Sequence, residues 1–96
     1  MIRHIVFFDT RNATDSDAVF NGLSLLTGIP HKLHLEIGRN LKTDPLPGPV
    51  PDFVVYGEFE SEAQLAAFKA HPLYQQSIDV VRPLRDMRVA ADFDAG

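Results

Sequence analysis

The chain has 96 residues, 45% of them hydrophobic, with no cysteine and a formal net charge of −4. That length supports one small globular domain, residues 1–96, in which only about 60–65% of the unfolded chain's surface can be buried. The absence of cysteine excludes disulfide staples and thiolate metal or redox motifs, and the acidic balance argues against a phosphate-tracking surface for nucleic acid or anionic membrane.

Residues 2–9 are rich in β-branched and aromatic types, which predicts a first strand. Alternation places Ile2, His4, Val6 and Phe8 on one face and Ile5 and Phe7 on the other, both largely apolar. Asp9 ends this run after one strand length. No apolar stretch approaches the roughly 20 residues that span a bilayer, so a cytoplasmic protein without membrane contact is expected.

Thr14-Asp15-Ser16-Asp17 reads as a helix entry, with Thr14 as the cap accepting from the backbone of Asp17. Val19, Leu23 and Leu26, with Phe20 beside them, form one apolar stripe, and Gly28 then Pro30 stop the helix. His31 to Leu41 predicts a second strand, with Leu33, Leu35 and Ile37 inward and Lys32, His34 and Glu36 opposite. Residues 44–51 contain four prolines and are therefore an extended loop.

Phe53, Val55, Gly57 and Phe59 alternate against Val54, Tyr56 and Glu58 in a third strand. Ser61 to Gln64 has the pattern of a capping box for a second helix carrying Leu65 and Phe68. Pro72 would break a helix interior, so a kink is placed near His71, with the helix resuming to Val81 and ending at Arg82-Pro83-Leu84. Arg85 to Asp94 predicts the last strand, with Met87, Val89, Ala91 and Phe93 toward the helices and Arg88, Ala90 and Asp92 opposite.

The order βαββαβ predicts an α+β, ferredoxin-like protomer: a four-stranded antiparallel sheet with two helices on one face. The other face would carry Ile5, Phe7, Val54 and Tyr56 beside His34, and a monomer would leave these aromatics in water. A homodimer joined through that face is the expected solution.

Met1-Ile2-Arg3-His4-Ile5-Val6, Phe59-Glu60-Ser61, Ala70-His71-Pro72, Val81-Arg82-Pro83-Leu84 and Ala91-Asp92-Phe93 together resemble the stress-responsive dimeric α/β-barrel (Dabb) family over nearly the whole chain. The resemblance implies protomers whose sheets pair into a barrel across a dimer. The family includes stress-induced proteins of unknown biochemistry and a few enzymes, so one activity is not implied. The best understood of those enzymes is a plant polyketide cyclase that works without a cofactor. Its strand histidine matches His4, but its catalytic histidine falls at Tyr74 and its partner tyrosine at Phe68. A phenol with a pKa near 10 is a poor base at neutral pH, so the same cyclisation by the same groups is not expected.

A cavity between sheet and helices is predicted, lined by His4, Val6, Phe20, Leu23 and Val55 and, from the later helices, Phe68, His71 and Tyr74. Such a lining suits a small apolar or aromatic ligand with one polar group. The bland alternatives are a core histidine satisfied by a neighbour at His4, a structural hydrogen bond at His71, and packing with a bonded tip at Tyr74. His31 and His34 cannot share a metal, because residues three apart on a strand point to opposite faces. No metal or cofactor is implied, and nucleophile elbows, phosphate loops and dinucleotide fingerprints are absent from the sequence.

The preferred reading is a non-catalytic, stress-associated dimer with a ligand cavity. The alternative is a cofactor-independent cyclase, lyase or isomerase using His4 and Tyr74. A remote third reading is an RNA-binding module presenting Phe7 and Tyr56, opposed by a third strand without Lys or Arg.

Overall fold

The computed structural model describes residues 1–44 and 47–96, so Pro45 and Leu46 of the predicted loop lie outside the described residues. Strand β1 spans Ile2–Phe8, helix α1 Ser16–Ser24, β2 His34–Arg39 and β3 Phe53–Phe59. Helix α2 follows at Glu62–Ala70, then α3 at Pro72–Val81 and β4 at Arg88–Asp94. The strands form one antiparallel sheet in the order β2-β3-β1-β4. This is the ferredoxin-like arrangement, with three helices rather than two.

The extra helix follows from one residue pair. Pro72 has no backbone N–H and starts α3 in its first turn, where none is needed. His71 before it takes an extended conformation, as a residue preceding proline tends to. Its Nδ1 then accepts from the backbone N–H of Leu73 at 3.1 Å, capping the new helix. The predicted kink is thus a complete break.

Ser61 caps α2 as expected, accepting from the backbone N–H of Gln64 at 3.1 Å. The Gln64 side chain reaches back to the backbone N–H of Glu60 at 2.6 Å, one residue before the usual partner. Thr14, in contrast, does not cap α1. A turn of 3₁₀ helix at Ala13–Asp15 occupies that entry, and the residue before α1, Asp15, makes no side-chain capping bond.

Perfect alternation buries Ile2, His4, Val6 and Phe8 of β1 and Phe53, Val55, Gly57 and Phe59 of β3 beneath the helices. Val19 and Leu23 of α1, Leu26 and Ile29 beyond it, and Phe68 of α2 complete the core. Each such side chain contributes roughly 1.5–3 kcal/mol of apolar burial. Leu35 and Ile37 of β2 pack against the core's edge, half-buried.

Two expectations for β2 fail. Leu33 lies outside the strand and is exposed, because the chain first turns through a hydrogen bond from Lys32 N–H to the Pro30 carbonyl. Lys32 does not sit on the open sheet face either. Its ammonium donates to the carbonyls of Thr27 and Ile29, closing the end of the 3₁₀ turn at Leu25–Gly28.

The larger correction concerns β4. Its register with β1 pairs His4 with Asp92, Val6 with Ala90 and Phe8 with Arg88. Residues directly opposite in an antiparallel pair share a face, so Arg88, Ala90 and Asp92 point toward the helices. Val89, Ala91 and Phe93 point to the open face, with Val89 56% and Phe93 48% exposed. This is the reverse of the predicted orientation. The apolar alternation of β4 marks the open face because it extends the apolar patch of Ile5, Phe7, Val54 and Tyr56.

Helices α1 and α3 approach closely at Gly22. A Cβ there would stand 2.8 Å from both Val80 Cγ1 and Val81 Cγ2. Gly22→Ala is therefore expected to destabilise the protein by about 1–3 kcal/mol through overpacking, despite the better helix propensity of alanine. Urea unfolding checks this, and a variant as stable as the parent would show that the helices separate freely.

Candidate functional site

A cavity of about 390 Å³ opens between the sheet and the helices. Its floor is His4, Val6 and Phe8 of β1 with Val55 of β3, and Leu23, Phe68 and Tyr74 stand over it. Two residues expected in this lining are elsewhere. Phe20 packs on the Phe53 ring at 6.0 Å, with the Arg39 guanidinium 4.3 Å above it. His71 is engaged in capping α3 and faces the His31 ring at 6.3 Å.

His4 is 2% exposed and its Nδ1 meets the Asp92 carboxylate across the β1–β4 pair. Burial pushes its pKa below the ordinary 6.5, and the opposing pull of Asp92 only partly offsets that. At neutral pH the ring is thus uncharged, with Nδ1–H donating to Asp92. The carboxylate fixes both the tautomer and the ring orientation. Nε2 carries the free lone pair and has no protein partner among the described residues. A neutral imidazole held in this way has the tautomer and orientation that a general base needs.

Stacked side chains carry the site from His4 toward α3. His4 meets Phe59 edge-on at 6.1 Å, Phe59 meets Phe68 at 5.0 Å, and Phe68 meets Tyr74 at 5.8 Å. Such edge-to-face pairs lock ring orientation as well as burying area. The Tyr74 hydroxyl accepts a long contact, 3.5 Å, from Nη2 of Arg88.

The cavity is also bordered by Arg82, Arg85 and Arg88, a third of the chain's nine Lys and Arg residues. Desolvation and the neighbouring charges of Arg88 and Arg82 lower the pKa of Arg85. This cluster and Asp92 were missed in the sequence reading. A signal was present: three arginines at intervals of three residues, in an otherwise acidic chain, beginning at the Arg82-Pro83-Leu84 helix stop. The reversed orientation assigned to β4 hid both Asp92 and Arg88.

The predicted dimer-face residues do share one surface. Ile5, Phe7, Val54 and Tyr56 lie on the open side of the two central strands, with His34 beside them on β2. Nε2 of His34 is 2.5 Å from Glu36 Oε1, and the Tyr56 hydroxyl donates to Glu58 at 2.6 Å. That second bond raises the pKa of Tyr56. Among the described residues no three His, Asp or Glu gather in a metal-binding group, and no helix is long and apolar enough to cross a membrane.

The stress responsive A/B barrel domain model matches residues 2–95. No curated protein matches the sequence. Among solved structures, the chain is similar to a dimeric ferredoxin-like protein of unknown function from Thermobifida fusca, at 27% identity and a TM-score of 0.78, covering 96% of this chain and 88% of that one. A Dabb family protein with a ferredoxin-like fold from Mesorhizobium loti aligns at 21% identity and a TM-score of 0.78, covering 97% and 94%. A dimeric ferredoxin-like protein of unknown function from Jannaschia sp. aligns at 16% identity and a TM-score of 0.83, covering 98% of both chains.

Proposed function

The chain belongs to the stress responsive A/B barrel domain family, and on that premise we propose that it is a homodimeric enzyme moving a proton on a small, partly aromatic substrate with its own side chains. The observation that carries the reading is the buried His4–Asp92 pair at the floor of a ligand-sized cavity. A core histidine needing only satisfaction would not also present an unpartnered nitrogen to a cavity of this volume.

The step follows from the geometry. Nε2 of His4 takes a proton from a carbon next to a carbonyl, and the C–H electron pair moves into the carbonyl as an enolate. Asp92 is a positioning residue that stabilises the imidazolium formed. The Tyr74 hydroxyl donates a hydrogen bond to the enolate oxygen. The imidazolium then gives a proton back to the enolate, and His4 is neutral again. Return at the same carbon exchanges the hydrogen, and return at the oxygen leaves the enol tautomer. Tyr74 thus acts as a hydrogen-bond donor rather than as the base.

The dimer reading is supported by the apolar open face and by similarity to structures described as dimeric. A second copy covers Phe7, Val89 and Phe93 with the same residues of its own, as a two-fold interface requires.

Two measurements test the catalytic reading. Nitrogen NMR of the His4 ring at neutral pH is expected to show Nδ1 protonated and Nε2 bare, with a midpoint below 6.5. Because the folded-state value is depressed, the His4 contribution to stability is fully present above 6.5 and is lost as pH falls below that through the folded-state midpoint. In D₂O, the protein is expected to accelerate α-hydrogen exchange of phenylacetone by about 10²-fold or more over His4→Gln. An imidazolium or a protonated Nε2 at neutral pH, or equal exchange by the two proteins, would overturn the reading.

A further inference from the structure

We propose that Arg82, Arg85 and Arg88 form an anion subsite that selects an elongated substrate with a carboxylate at one end and an apolar or aromatic body. The position of the reacting end rests on the acid–base reading of His4, whereas the anion subsite does not.

Three observations meet here. First, the cluster borders the same cavity as His4: Arg88 is paired with Phe8, four residues along β1 from His4, and its guanidinium reaches back to the Tyr74 hydroxyl at 3.5 Å. Four residues of strand correspond to about 13 Å. Second, three other exposed cations have carboxylate partners, Arg11 with Asp86, Arg39 with Asp17 and Lys42 with Asp52. Among the described residues no such ion pair is formed by Arg82, Arg85 or Arg88, and only the Asp9 carboxylate acts favourably on Arg85 from a distance. Three like charges held together raise one another's energy until an anion neutralises them, and a guanidinium fork matches a carboxylate in two parallel hydrogen bonds. Third, the rest of the cavity lining is mostly apolar: Val6, Leu26, Ile78 and Val81, with Ser77 and Tyr74 as its polar groups and the Phe8 ring 6.0 Å from the Arg85 guanidinium. A bare inorganic anion would leave that surface unused, whereas an arylalkanoic acid fills it. Allowing for the reach of an arginine side chain, the acid places its carboxylate at the cluster and its body along Val6, with the reacting carbon near Nε2.

The test is calorimetric titration of the full-length protein with 6-phenylhexanoate, its primary amide, and inorganic phosphate. The acid is expected to bind about tenfold or more tighter than the amide, the worth of one charged hydrogen bond, and its affinity to fall as ionic strength rises. Arg85→Gln is expected to reduce the acid to the affinity of the amide, and Arg85→Lys to recover part of the difference. Arg82→Gln, at an exposed position, provides the same comparison should Arg85→Gln fail to fold. Equal binding of acid and amide overturns the inference, as does phosphate binding as tightly as the acid, or an acid preference that survives in both glutamine variants.

The two readings fail separately. His4→Gln is expected to keep the preference for acid over amide. Retained preference without catalysed phenylacetone exchange sinks only the proton-transfer reading. Exchange without any acid preference sinks only the anion subsite.

Discussion

Phe68→Ala is expected to lower stability by about 3–5 kcal/mol, a large share of the 5–15 kcal/mol that holds a domain of this size together. Phe68 is fully buried and its ring is gripped on two sides, by Phe59 at 5.0 Å and Tyr74 at 5.8 Å. Truncation removes the transfer energy of the ring, both edge-to-face contacts and the wall between the cavity and the rest of the core. At roughly 4–8 °C per kcal/mol, the midpoint of thermal unfolding should fall by at least about 12 °C. The same change admits water toward His4, so the His4 pKa should rise back toward 6.5. Calorimetry with an NMR titration reads both effects. A loss under about 1 kcal/mol would mean that the ring packs loosely and that the cavity extends through it.

The second large effect is expected at the open face. Phe7 lies on a central strand with its side chain 36% exposed, beside Ile5 and opposite Val54. Phe7→Asp places an unpaired carboxylate in the proposed interface, and two-fold symmetry places two. Burying an uncompensated charge costs about 3–5 kcal/mol. With every 1.4 kcal/mol worth tenfold, the dimer should weaken by at least about 10³-fold. The protomer's fold should survive, because Phe7 points away from its own core. Sedimentation velocity should show the parent as a dimer and the variant as a monomer, with unchanged far-ultraviolet dichroism. A monomeric parent, or a variant as dimeric as the parent, would remove the interface.

The contrast between β1 and β4 shows how far residues alone can locate a site. In β1 and β3, each placed centrally, alternation places the most apolar set against the helices, and burial follows the pattern residue by residue. β4 alternates just as clearly, yet its apolar set faces outward. An edge strand beside a cavity has its polar residues inside and its apolar ones toward whatever covers the open face. Period-two patterning separates two faces but does not say which is which. Only the pairing of His4 with Asp92 decides that, and with it the partner of the histidine.

The sequence by itself determined the element order, the break at His71-Pro72 and the core faces of β1 and β3. These are local consequences of proline chemistry, capping and alternation, legible within a few residues. The tertiary structure alone decided the orientation of β4, the His4–Asp92 pair and the gathering of Arg82, Arg85 and Arg88 at the cavity. The first two depend on register between strands whose paired residues, His4 and Asp92, are 88 positions apart, and register is a property of the packed sheet rather than of either strand.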